Sequence, residues 1–439
     1  MVTGGKKLKG RVKVSGSKNV AIKLPIASLL TSEEINISNV PLISSFYKTL
    51  DIVKMLGSEY KISDHTLSIK TPKITAFTIP LEMGALVRTS TMTAGPLLAR
   101  YGRAVVPNPG GCRLGARPID RHIEGLEKMG AKIEYKEGMF VGVAPNGLKG
   151  ANYSFEKNTH TGTETLILAA VLAKGKTVLE NAAEEPEIDD LIYLLNLMGA
   201  DVKRVKSRTI VINGVKKLGG AKFVVQPDRN ELVTFACAAI ATRGDIFIEY
   251  KDKENIKAFL KELDTAGIPY EESSEGYRFY YSGEFKGTNV TTLPHPGFMT
   301  DWQSPWMTLM TKAKGVSTMH ETIYENRFAV VGELNKMGAG IELFNPKVKN
   351  PKSFYNFNWD DNKPEFFHAA GIVGPKVLHS AVLNICDLRA GATLIIAALI
   401  ADGQSVLYGI EHIDRGYEDF EKRLKLLGAD IKRAKEEDE

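Results

Sequence analysis

The sequence predicts a mixed α/β protein built from six units of about 70 residues, divided into two lobes of three. Three recurring phrases predict it, and self-similarity at a fixed period marks a repeated supersecondary unit. A helical run closing on glycine appears as Met55-Leu56-Gly57, Met129-Gly130, Met198-Gly199, Ala266-Gly267, Met337-Gly338 and Leu427-Gly428, with glycine intervals of 73, 69, 68, 71 and 90. An Ala-rich helix closing on glycine ends at Gly102, Gly175, Gly244, Gly315 and Gly403, with Thr31-Ser32 as a degenerate first copy. A third phrase, Leu8-Lys9-Gly10, Leu148-Lys149-Gly150, Leu218-Gly219-Gly220 and Phe285-Lys286-Gly287, precedes a strand and then a helix.

Along one unit the expected order is helix, strand, helix, then two or three strands. The closing glycines are expected at helix C′ positions in the left-handed region, which costs glycine little. Alternating stretches such as Lys132–Tyr135, Phe140–Val143 and Thr209–Ile212 read as strands. The long last interval points to an insertion at 345–362, rich in Asn, Pro and Lys, whose Phe354, Tyr355, Phe357 and Trp359 are expected to pack it down. The chain begins in mid-unit and its sixth unit ends near Ile431, one strand short. Residues 8–16 are expected to supply that strand. The lobes then read as 18–226, and as 1–17 plus 227–439, with crossings near Ser17 and Gln226.

Composition narrows the function. The 439 residues are 43% apolar and 25% charged, which excludes a disordered chain, a collagen and a disulfide miniprotein. Thr393–Ala401 is about the longest apolar run, well short of a membrane span, and Met1–Gly10 is basic without the apolar stretch of a secretory signal. A net charge of +5 suits anionic small molecules better than a nucleic-acid footprint. Three widely spaced cysteines, with no CxxC, suggest a cytoplasmic protein with neither a disulfide framework nor a zinc site. Cys237 is expected in the core, and Cys386 is read as structural too.

Strong polar residues gather where a strand turns into the Ala-rich helix: Lys18-Asn19, Arg88, His160-Thr161-Gly162, Asp228-Arg229, Asp301 and Asp387-Leu388-Arg389. Helix N-termini carry unpaired N–H groups and partial positive charge, and so favour anions. Asp228 also reads as a plain N-cap. Lys18 and Arg88 do not, because a cation is unfavourable there unless an anionic ligand joins it. Should the two lobes face each other through these ends, the cleft would be cationic. Arg88, Arg117, Arg327, Arg389 and Arg415 add guanidinium groups suited to carboxylate and phosphate. The loop Pro109-Gly110-Gly111-Cys112-Arg113-Leu114-Gly115-Ala116-Arg117-Pro118 sets a thiol beside two arginines, which favour the thiolate. A chemical role for Cys112 follows, as nucleophile or as general acid.

These phrases, with Ser15-Gly16-Ser17-Lys18-Asn19, Glu184-Glu185-Pro186-Glu187-Ile188, Pro294-His295-Pro296, Glu325-Asn326-Arg327-Phe328 and His412-Ile413-Asp414-Arg415-Gly416-Tyr417, fall in one order over nearly the whole chain. In that order the sequence resembles the UDP-N-acetylglucosamine 1-carboxyvinyltransferase family of the enolpyruvyl transferases. The resemblance implies two inside-out α/β barrel lobes of three repeats each. It implies transfer of the enolpyruvyl group of phosphoenolpyruvate to the 3′-hydroxyl of UDP-N-acetylglucosamine, with release of phosphate, as the first committed step of peptidoglycan synthesis. No metal or other cofactor is implied, and the oligomeric state stays open.

By the same resemblance Cys112, Asp301, Lys18 and Arg389 would be catalytic. Lys18, Asn19, Arg117, Arg389 and Arg415 would hold phosphoenolpyruvate. Asn19, Arg88, Arg117, Pro118, Asp120, Arg121, His160, Thr161, Gly162, Asp301, Ile323 and Arg327 would contact the nucleotide sugar. Cys112 would protonate the methylene carbon or attack C2, and Asp301 would take the proton of the 3′-hydroxyl. The chain departs from the family pattern in Leu42-Ile43-Ser44-Ser45, where a lysine often follows Asn-Val-Pro, at Arg121, where leucine is usual near the uracil, and at 230–233, which reads Asn-Glu-Leu-Val. These departures bear on the acceptor. A different nucleotide or nucleotide sugar, or a non-catalytic UDP-sugar-binding paralogue, are the alternatives. The sister enzyme acting on shikimate 3-phosphate usually reads Gly-Ser-Lys-Ser and lacks the Gly-Gly-Cys loop, so Lys18-Asn19 and Cys112 separate this chain from it.

Overall fold

A computed structural model describes residues 1–109, 116 and 118–434. By their contacts they form two compact units, one of residues 1–15, 116 and 227–434, the other of 16–109 and 118–226.

Each unit holds three β-sheets. The sheet of 152–213 is typical of the plan. Its strands Asn152–Ser154 and Lys176–Glu180 run parallel, joined through helix His160–Ala170. Helix Pro186–Leu197 follows, and then the antiparallel strands Asp201–Lys206 and Thr209–Asn213. Val178 sits opposite Val211, which fixes the register. Strand Thr209–Asn213 thus lies between Asp201–Lys206 and Lys176–Glu180.

The Ala-rich helices are buried on every side, and an all-apolar helix surface demands that. Every residue of Arg229–Ala241 is buried, and it packs against Thr300–Met310 and Leu388–Ile400. In the other unit Ala94–Tyr101 packs against His160–Ala170 and the short turn Ser28–Leu30. The second helix of each repeat is amphipathic: in Ser44–Leu56, Phe46, Leu50, Val53 and Leu56 face inward. Each unit has its own core, one including Phe235, Phe259, Trp302 and Ile396, the other Ile37, Phe46, Leu166 and Ile212.

All six glycines of the first phrase have positive φ, as the sequence predicts. Gly244 departs from the second phrase. There Arg243 takes the left-handed conformation (φ 55°), and Gly244 is required because a Cβ would lie 2.1 Å from the carbonyl oxygen of Leu8.

The expected closing strand is also corrected. Val2–Thr3, not residues 8–16, completes the last sheet, antiparallel to both Gln404–Tyr408 and Asp430–Ile431. Lys9–Lys13 instead runs parallel to Asp245–Glu249, with Val12 opposite Ile248. Ala221–Val224 pairs in the same parallel manner with Ile35–Ser38. Lys9–Lys13 fills the parallel place beside Asp245–Glu249 that Ala221–Val224, paired with Ile35–Ser38, leaves open, and Val2–Thr3 then supplies the antiparallel member of the last sheet. Near the crossings the Asp228 amide donates to the Ser15 carbonyl, and the Ser17 amide to that of Gln226.

The insertion at 345–362 carries helix Pro351–Phe354 and a 3-10 turn at Trp359–Asp361. Tyr355 and Phe357 are buried, and Tyr355 stacks on Trp359 with ring centres 5.0 Å apart. Phe354 stays 45% exposed, against expectation. Cys237 is buried as expected, whereas Cys386 is exposed beside Asp387 and does not pack. Among the described residues no helix is long and apolar enough to cross a membrane.

Candidate active site

Five of the expected site residues lie at helix starts. Lys18 begins helix Lys18–Ala21, Arg88 begins the 3-10 turn Arg88–Thr93, and Asp120 begins Asp120–Lys128. His160 begins His160–Ala170, and Asp301 is the second residue of Thr300–Met310. Asp228 and Asp387 are true N-caps. Asp228 Oδ1 accepts from the amides of Asn230 (2.6 Å) and Glu231 (3.2 Å), and Asp387 Oδ1 from those of Arg389 (2.8 Å) and Ala390 (3.1 Å). For Asp228 the plain reading therefore holds.

In the unit containing 227–434, Asp301 is the centre. Its Oδ1 accepts from Arg327 Nη2 at 3.2 Å and its Oδ2 from Arg389 Nη2 at 3.3 Å. Both arginine side chains are buried, while the carboxylate is 22% exposed. Arg389 Nη1 donates to Tyr417 Oη at 2.8 Å, which meets Thr234 Oγ1 at 2.8 Å. Burial works against the Arg389 charge, but Tyr417, Asp301 and Asp228 outweigh it and the pKa is raised. Arg327 behaves alike: burial opposes its charge, and Asp387, Asp301 and Glu321 more than offset that. Arg389 Nε is buried without a hydrogen-bond partner among the described residues. Ile323 is held by Glu321, whose Oε1 accepts from the amides of Ile323 (2.8 Å) and Tyr324 (3.2 Å) while Thr300 Oγ1 donates to its Oε2 (2.9 Å). Arg415 follows the short helix Glu411–Asp414, two residues before Tyr417.

In the unit containing 16–226, a second cluster forms. Arg88 Nη2 donates to the Pro118 carbonyl at 3.2 Å. Arg121 is buried, 3.7 Å from the Asp120 carboxylate and 3.4 Å from that of Glu156. His122 Nε2 lies 3.0 Å from Thr161 Oγ1. Burial, helped by Arg88 and Arg121, drives the His122 pKa down to about 3, so the ring is neutral at pH 7. Gly162 donates its amide to Thr159 Oγ1 at 3.3 Å. His160 Nε2 is 3.1 Å from the Lys23 ammonium, which donates to Glu164 Oε1 at 2.7 Å. Asn19 sits in the first turn of helix Lys18–Ala21. Cys112 and Arg117 lie outside the described residues.

Sequence reasoning missed Lys23, His122, Glu164, Glu321 and Tyr417. Two left a signal: Lys23 is the one charge in the run Val20–Leu30, and Glu164 the one charge between Thr161 and Val171. A charge there calls for a partner.

A fold of buried helices flanked by six sheets, with cations and N-caps at the helix starts, defines a class. A profile described as EPSP synthase (3-phosphoshikimate 1-carboxyvinyltransferase) matches residues 2–424, and the chain belongs to that family. Within it, the relatives that match over the full length are more particular. A protein of Idiomarina loihiensis named UDP-N-acetylglucosamine 1-carboxyvinyltransferase is 41% identical over 433 residues, 98% of either chain. A protein of Carboxydothermus hydrogenoformans named UDP-N-acetylglucosamine 1-carboxyvinyltransferase 2 is 40% identical over 435 residues, 99% of this chain and 98% of the relative. The crystal structure of the enolpyruvyl transferase NikO from Streptomyces tendae superimposes with a TM-score of 0.84 at 21% identity, covering 98% of this chain and 97% of that one. At that identity the likeness speaks for the fold alone.

Proposed function

We propose that this protein transfers the enolpyruvyl group of phosphoenolpyruvate to the 3′-hydroxyl of UDP-N-acetylglucosamine and releases phosphate, in peptidoglycan synthesis. The observation that carries the reading is the 40–41% identity, over 98–99% of the chain, to relatives bearing that name. In this reading Asp301 takes the hydroxyl proton as the sugar oxygen bonds to C2 of phosphoenolpyruvate. Cys112 gives a proton to C3; alternatively its S–H first adds across the double bond, sulfur to C2 and proton to C3, and the C–S bond breaks as the sugar oxygen bonds to C2. The adduct then loses a proton from C3 and expels phosphate, restoring the double bond. Lys18, Asn19, Arg117, Arg389 and Arg415 hold the phosphate and carboxylate of phosphoenolpyruvate. Fixed ammonium and guanidinium groups neutralise that charge without reorganising. Arg88, Pro118, Asp120, Arg121, His160, Thr161 and Gly162, with Ile323 and Arg327, serve the nucleotide sugar.

The same reading takes the two units as lobes of an inside-out α/β barrel, divided as 18–226 and as 1–17 with 227–439, both serving one reaction. The wide spacing and odd number of the cysteines support a cytoplasmic setting.

The test is phosphate release from phosphoenolpyruvate, with and without UDP-N-acetylglucosamine, for wild type and Cys112→Ala. Release that needs the sugar and collapses in the variant is expected. Sugar-dependent release that survives Cys112→Ala would keep the transferase and demote the cysteine. A folded protein that releases nothing with this sugar would turn the reading to another acceptor.

A further inference from the structure

Lys23 interrupts an apolar run, and its side chain is only 5% exposed. Its partner Glu164 lies in the buried helix His160–Ala170 and is fully buried. Burying both charges costs about as much as their pairing returns, and an apolar pair of similar volume would serve stability equally well. Stability therefore does not explain the pair. Its third member suggests what does. The Lys23 ammonium stands 2.7 Å from Glu164 Oε1 and 3.1 Å from His160 Nε2.

A lysine ammonium carries three hydrogens and no acceptor lone pair. Nε2 of His160 also stands 3.6 Å from Glu164 Oε1, beyond hydrogen-bond reach, so the 3.1 Å contact with the ammonium is the one that sets its role, and there it accepts. The imidazole is then neutral, with its proton on Nδ1. Glu164 holds the ammonium from one side, so the geometry does not rely on the long lysine side chain alone. His160 itself keeps 26% of its side chain exposed, at the first residue of its helix.

We propose that Lys23 and Glu164 are a positioning pair that fixes His160 as the Nδ1–H tautomer, making the ring an N–H donor to acceptor oxygens of the nucleotide sugar. This rests on the reading of His160 as a nucleotide-sugar contact. The pair sets affinity for the acceptor and has no direct part in the chemistry at phosphoenolpyruvate. A histidine without the pair would be free to present either nitrogen as donor, or to become a cation.

The test uses the full chain labelled with 15N in histidine. Ring 15N shifts report the His160 tautomer, assigned by comparison with His160→Ala, and calorimetry measures UDP-N-acetylglucosamine binding. Wild type is expected to show the Nδ1–H form. Lys23→Met should lose that preference and bind the sugar on the order of tenfold more weakly, about the worth of one hydrogen bond. Lys23→Arg, also a pure donor, should keep the tautomer. Because Lys23→Met strands a buried carboxylate, Lys23→Met/Glu164→Gln is measured beside it: with both charges gone it should fold and still show the loss. In a His160→Ala background Lys23→Met should cost no further affinity. An Nε2–H or cationic His160 in wild type overturns the proposal, as does a folded double variant with unchanged tautomer and affinity. A wild type that shows the Nδ1–H form but binds no UDP-N-acetylglucosamine would overturn the acceptor assignment and, with it, the pair's role toward that sugar.

Discussion

Asp301 meets two buried guanidinium groups, one on each carboxylate oxygen. That arrangement holds its position tightly and leaves it partly exposed. Asp301→Asn should keep the shape and remove the proton acceptor, lowering kcat about 100-fold or more while affinity for either substrate changes only a few-fold. Loss of affinity without loss of kcat would demote Asp301 to a binding residue. Tyr417 accepts from Arg389 inside the core. Tyr417→Phe leaves that buried guanidinium one partner short and should cost about 1–3 kcal/mol in urea unfolding. His122 gives a pH signature. Its folded pKa, about 3, lies below the ordinary 6.5. Between those values the unfolded chain binds the proton and the folded chain does not, so stability falls as pH drops from about 6.5 toward 3. His122→Gln should flatten that part of the curve, read as melting temperature against pH. At this scale the sequence spoke unevenly. Asp228 and Asp387 were readable as caps because capping is local. Tyr417 and Glu321 were not, because their side-chain partners stand far along the chain, Thr234 183 and Arg389 28 residues from Tyr417, and Thr300 21 residues from Glu321.

Two glycines separate local strain from packing at the scale of the element. Gly199 closes helix Pro186–Leu197 at φ 98° with open space around it. Gly199→Ala should cost about 1–2 kcal/mol, the strain of a left-handed residue. Gly244 has no such φ, yet a Cβ there would meet the Leu8 carbonyl at 2.1 Å, next to the Lys9–Lys13 pairing with Asp245–Glu249. Gly244→Ala should cost more than about 2 kcal/mol and lower amide protection in that strand pair. Equal losses at the two sites would contradict this division. The six closing glycines were legible because each ends a helix by a rule that needs only neighbouring residues. The role of Gly244 was hidden because the atom that excludes a side chain belongs to residue 8.

For the whole molecule, each unit has a separate hydrophobic core and three sheets. Removing residues 1–7 would take Val2–Thr3 from between Gln404–Tyr408 and Asp430–Ile431. Hydrogen exchange should then speed up in those two strands and stay unchanged in 16–226. Equal acceleration in both units would refute independent cores. The repeat itself was legible from its period. The placement of the first strand was not, since its register with Asp245–Glu249 depends on hydrogen bonds across more than two hundred residues.

That pairing also orders events at the ribosome. Lys9–Lys13 emerges well before its partner Asp245–Glu249 is translated. At about 5–20 residues per second, the wait is on the order of ten to fifty seconds. Val2–Thr3 must wait longer still, until Asp430–Ile431 has been made. The intervening segment 16–226 contains every strand of its own three sheets, and so can finish folding while the leading end is still unpaired. Nascent chains of this protein would thus carry an exposed strand edge while the segment between the partners is made, a natural target for a chaperone.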